Sequence, residues 1–101
     1  MSSFVVRPDA EADITDAAVW YETQSPGLGL EFLRLVDACL ADVDRAPHRF
    51  PVIRRNMRRA LLRRFPYGVF FVEADGGVEV VACLHARRDP HEWSERLRRD
   101  R

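Results

Sequence analysis

Residues 63–90 read RRFPYGVFFVEADGGVEVVACLHARRDP, with two apolar runs of strand length on either side of Asp75-Gly76-Gly77. Glycine supplies the positive φ that tight hairpin turns require, so Val69 to Ala74 and Val78 to His85 are expected as paired antiparallel strands. Arg58 to Phe65, just before them, is expected as a third. Along the last strand Val78, Val80, Ala82 and Leu84 alternate with Glu79, Val81, Cys83 and His85, which puts His85 on the face away from Leu84. Arginine pairs stand immediately outside the hairpin, Arg63-Arg64 before it and Arg87-Arg88 after it.

Upstream of this sheet the hydrophobic period is helical. Phe4 to Val6 is a short strand candidate ended by Pro8, and Asp9 is expected to cap a helix carrying Ile14, Ala17, Ala18 and Tyr21 on one face. That pattern stops at Ser25-Pro26-Gly27. A second helix is expected over about residues 28–45, with Phe32, Leu35, Val36, Cys39, Leu40 and Val43 at helical spacing and Pro47 beyond its end. Pro47 to Asn56 reads as a loop rich in proline and arginine. Past the hairpin, Asp89-Pro90-His91-Glu92 opens a short C-terminal helix with Trp93 and Leu97. The expected fold is α+β, in the order β-α-α-β-β-β plus the terminal helix, with two antiparallel helices on one face of a mainly antiparallel sheet.

With 101 residues, the chain is expected to be one domain over 1–101. No apolar run approaches the roughly 20 residues of a membrane span, and the N-terminus lacks the pattern of a secretory signal, so a cytoplasmic location is expected. Cys39 and Cys83 sit among apolar residues and are expected as free, buried thiols. The zero net charge conceals an asymmetry: residues 1–50 hold four Arg against nine acids, and residues 51–101 hold twelve against seven. All sixteen basic residues are Arg, for which genomic base composition is a better explanation than selection for function. A guanidinium is permanently charged and suited to bidentate contact with phosphate or carboxylate.

Several stretches in order carry a family resemblance: Trp20-Tyr21-Glu22, Pro26-Gly27-Leu28-Gly29 with Phe32, Pro47 with Phe50-Pro51, Arg64-Phe65-Pro66-Tyr67, and His85-Ala86-Arg87-Arg88-Asp89-Pro90 with Trp93. Together they span nearly the whole chain, which resembles the RelE/ParE superfamily of bacterial type II toxins. The resemblance implies a small toxin encoded beside an antitoxin that wraps it, acting on DNA gyrase or on ribosome-bound mRNA. A binding module that kept the fold and lost toxicity is a third reading.

Metal-free RNA cleavage needs a base for the 2′-hydroxyl, a stabiliser for the phosphorane and an acid for the leaving oxygen. Arginine supplies only the second, since its pKa forbids proton transfer at neutral pH. A ribonuclease would therefore use His85 with Arg64 or Arg87, although a hydrogen bond from His85 to a loop carbonyl is an equal alternative. Adjacent strand residues face opposite sides, so one of Arg63 and Arg64 is expected on the functional surface, and Arg64 is the choice. The surface for target or antitoxin is expected to draw on Arg58, Arg59, Arg63, Arg64, Arg87, Arg88 and Trp93. A solvated run of arginine that blunts a sheet edge is the competing reading.

The chain has no lysine and no Tyr near its end, both common in the ribonuclease branch, and His91 reads as a surface residue. Gyrase binding, which needs no catalytic set, is therefore favoured. Trp20, Tyr21, Phe70 and Phe71 read as core or sheet-facing aromatics. No ligand spacing for a metal and no glycine-rich phosphate loop is present, so no metal or cofactor is expected.

Overall fold

The computed structural model describes residues 3–87 together with 95 and 96. Along them the chain forms β1 (Phe4–Val6), α1 (Pro8–Gln24), α2 (Leu28–Arg45), a 3-10 turn (Pro47–Arg49), β2 (Val52–Arg54), β3 (Met57–Leu61), β4 (Tyr67–Ala74) and β5 (Gly77–His85). The five strands lie in the order β1-β5-β4-β3-β2, with β1 parallel to β5 and the other pairings antiparallel. The expected α+β arrangement is therefore present, with one more strand than the sequence suggested. Most of the expected C-terminal helix, including His91, Trp93 and Leu97, lies outside the described residues.

The hairpin turn forms as its sequence requires. Asp75 and Gly76 both take positive φ, 52° and 73°, and Ala74 pairs with Gly77 across them. Helix α1 begins earlier than expected: Arg7 is the N-cap and Pro8 the first helical residue, so Asp9 is not the cap. Proline suits that position because the first helical N–H has no partner to lose, and Asp9 and Glu11 still place charge where the dipole favours it.

A single apolar layer joins the helices to the sheet. Helix α1 contributes Ala10, Ala17 and Ala18, small residues that let it lie close, and α2 contributes Phe32, Val36, Cys39 and Val43. Ala60, Val69, Phe71, Val78, Val80 and Cys83 meet them from the sheet. A second buried cluster, Met57, Phe70, Val72, Val81, Ala82 and Leu84, forms on the other face.

The last strand departs from strict alternation. Phe70 pairs with Ala82 but Phe71 pairs with Val80, leaving Val81 as a bulge. Val78 and Val80 therefore face the helices while Ala82 and Leu84 face away, and Cys83 shares the side of Val78. His85 is opposite Leu84, as expected, but the sequence had grouped it with Glu79.

Candidate functional site

The arginines of the basic half divide by what holds them. Arg58 is a structural clamp: its guanidinium donates to the Phe50 carbonyl, and its Nε pairs with Glu73 at 3.0 Å. It ties the 3-10 segment to the sheet. Arg59 lies across Gly68, where a Cβ would sit 3.1 Å from its Cγ. Strand β3 ends at Leu61, short of the expected Phe65, so Arg63 and Arg64 lie in the β3–β4 loop and alternation cannot choose between them. Arg64 adopts φ 69°, and its exposed guanidinium meets Glu31 of α2 at 2.7 Å. Arg63 and Arg87 are exposed and have no ion-pair partner among the described residues.

Arg63 also borders a groove of about 70 Å³ between α2 and β3, whose apolar walls are Leu35, Phe50 and Leu61. Leu61 is 58% exposed there. Strand β2, which the sequence reading missed inside its loop, covers only the first part of β3: Val52 pairs with Arg58 and Arg54 with Met57. Arg55 at φ 53° turns the chain between them, a position where glycine or asparagine is the usual signal.

At the end of the sheet nearest Arg64, the Ala86 N–H donates to the Pro66 carbonyl at 2.8 Å, bringing His85 and Arg87 beside the β3–β4 loop. The three residues of the expected catalytic set thus share one end of the sheet, but the contacts of their side chains differ. The His85 ring stands edge-on to Tyr67, centroids 5.6 Å apart, and its Nδ1 accepts the Arg87 N–H at 3.1 Å. Tyr67 belongs to an aromatic cluster with Tyr21, Phe32 and Phe65, whose ring centroids lie 4.7 to 6.0 Å apart. Burial and the neighbouring Tyr67 raise the Tyr21 pKa. Arg88 and Trp93 lie outside the described residues.

Two features of this end were not read from the sequence. Trp20, expected to pack, is 55% exposed. Glu22 folds back onto the start of α2, its carboxylate accepting the N–H groups of Gly27 and Gly29 at 3.0 to 3.1 Å. The spacing of Glu22 from Pro26-Gly27-Leu28-Gly29 was visible, but a cap supplied from the previous helix has no local signature. Among the described residues, no group of three His, Cys, Asp or Glu could hold a metal ion, and no helix is long and apolar enough to cross a membrane.

A search of curated proteins by sequence returned no match. Among solved structures, a chain of the chromosomal ParDE TA system from P. aeruginosa superposes with a TM-score of 0.76 at 16% identity, covering 84% of this chain and 96% of that one. At that identity the likeness concerns the fold. The family model for the ParE toxin of type II toxin-antitoxin systems, parDE, matches residues 4–90. That match takes in both helices, all five strands and both arginine pairs, and the chain accordingly belongs to the ParE family of type II toxins.

Proposed function

We propose that this toxin acts in the cytoplasm by binding DNA gyrase, and that a cognate antitoxin silences it. The observation that carries the choice of target is the His85 hydrogen bond. With Nδ1 accepting the Arg87 N–H, a neutral His85 carries its proton on Nε2 and presents a donor, not the lone pair a general base needs. Of the two arginines considered as phosphorane stabiliser, Arg64 is paired with Glu31, whereas Arg87 is exposed with no ion-pair partner among the described residues. Inhibition by binding needs neither His85 nor Arg64 free. Contact with gyrase or antitoxin falls to the exposed Arg63, Arg64 and Arg87 with Arg59, and the antitoxin's apolar side chains would enter the groove beside Leu61.

The test is to express the toxin for growth arrest, then assay gyrase supercoiling and cleavage of ribosome-bound mRNA with purified components. Inhibited supercoiling that persists in His85→Gln is the expected result. Codon-periodic mRNA cuts that fall about 10²- to 10⁴-fold in His85→Gln, the usual scale for a lost acid or base, with supercoiling untouched, would overturn it. No growth arrest at all would instead mark a binding module.

A further inference from the structure

The far edge of the sheet holds a second surface, where one carboxylate, Asp16, has no ion-pair partner among the described residues. Strand β1 pairs with β5 only from Val78 to Val80, and the Arg7 N–H closes that ladder on the Val80 carbonyl at 3.0 Å. Beyond it the edge is served by side chains. Asp13 accepts the Cys83 N–H at 3.0 Å, and Arg96, paired with Asp13, reaches the Val81 carbonyl at 3.5 Å. These two side chains take the places that a neighbouring strand's C=O and N–H would fill. The Ala86 to Pro66 bond and the Gly68–Leu84 pairing turn the backbone groups of Leu84 toward β4, so the Cys83 C=O and the His85 N–H point away from β4, to a side where no strand pairs with them among the described residues.

A hollow of about 240 Å³ adjoins this edge, with Asp13, Asp16 and Trp20 of α1 on one wall and Tyr67, Leu84 and Arg96 on the other. Residues 13, 16 and 20 share a helix face because three and seven residues are close to whole turns. Asp13 is already neutralised by Arg96, whereas Asp16 has no ion-pair partner among the described residues. Trp20 offers an aromatic surface that a folded chain normally buries. A carboxylate beside an exposed indole is the chemistry that recognises an ammonium or guanidinium.

We propose that this edge binds an extended protein segment that continues the line of β1 and places one lysine or arginine side chain in the hollow, against Asp16 and Trp20. The backbone groups of Cys83 and His85 supply register, and the hollow supplies selection for the cation. The site lies at the opposite edge of the sheet from the basic groove, and it goes beyond the choice of gyrase as target.

The probe is the acetylated, amidated peptide Thr-Val-Arg-Val-Thr, compared with its leucine counterpart Thr-Val-Leu-Val-Thr. Titration into the ¹⁵N-labelled toxin is followed by NMR, with the Trp20 indole signal assigned through Trp20→Phe. The arginine peptide should shift the Trp20 indole and the His85 amide and slow exchange of that amide. Replacing arginine by leucine, or Asp16 by Asn, should weaken binding by about tenfold, the scale of a partly desolvated cation–π contact with its counter-charge. Asp16 and Trp20 are exposed, so these variants keep the fold. Equal binding of the two peptides, shifts confined to the β3 edge, or no binding at millimolar peptide would each overturn the proposal.

Discussion

Glu22 does for α2 what no residue adjacent to that helix does. Gly27, the N-cap, has no side chain to offer, and it sits at φ 88° where other residues are strained. The carboxylate from α1 accepts two of the N–H groups that would otherwise be unpaired, and its charge opposes the helix dipole. Glu22→Ala should therefore cost about 1–2 kcal/mol in urea unfolding, the scale of a lost N-cap, and Glu22→Gln distinctly less. Gly29 is more constrained, because a Cβ there would stand 2.6 Å from the Ala18 carbonyl oxygen and crowd Glu22. Gly29→Ala should push the helices apart and cost about 1–3 kcal/mol, as overpacking does. An unchanged urea midpoint in both variants would show that the two helices are held by their apolar faces alone.

Among the elements, those with a strong local period were legible and those set by tertiary pairing were not. Helix α2 shows its face in Phe32, Val36, Cys39 and Val43, and the Asp75-Gly76 turn shows its φ requirement. Strand β2 is three residues long, flanked by Pro51 and Arg55, and exists because β3 offers it an edge. The bulge at Val81 carries no glycine to announce it, yet it decides which residues of β5 meet the helices. In the candidate site, sequence reading named His85, Arg64 and Arg87, which the fold brings to one end of the sheet, but it could not foresee the bonds of Arg58 to Phe50 and Glu73, which are contacts across the fold.

The same packing fixes the thiols. Cys39 on α2 and Cys83 on β5 are both free and buried in the layer between helices and sheet, with burial pushing their pKa values up to about 11 and about 12. A raised thiol pKa means the folded state disfavours the thiolate. The stability this contributes is complete below the unfolded value near 9 and is lost as pH climbs toward 11 to 12. At pH 8, both thiols should react with a disulfide reagent only through global opening, with a rate that tracks stability across variants such as Glu22→Ala. Labelling at the rate of a free thiol in the native protein would contradict the burial of both.

On the scale of the molecule, the uneven charge becomes a spatial arrangement. Acidic α1 and α2 lie on one side, and the β3–β4 loop presents Arg63 and Arg64 where α2 meets the sheet, with Glu31 already holding Arg64 at 2.7 Å. That pair is largely exposed, so it contributes little to stability, and Arg64→Glu should leave the fold intact. An antitoxin bringing carboxylates to this surface would be steered by the exposed guanidiniums, and exposed charges act mainly on association rate. Arg63→Glu and Arg64→Glu should therefore slow association with the cognate antitoxin and flatten its salt dependence while changing dissociation little. Arg58→Ala should behave differently: it loosens the 3-10 segment and lowers thermal stability while leaving the association rate near that of the wild type. Stopped-flow association at two salt concentrations, beside thermal unfolding of each variant, separates the two behaviours. Equal association rates for wild type, Arg63→Glu and Arg64→Glu would remove the loop from the interface and return its arginines to the role of a solvated edge.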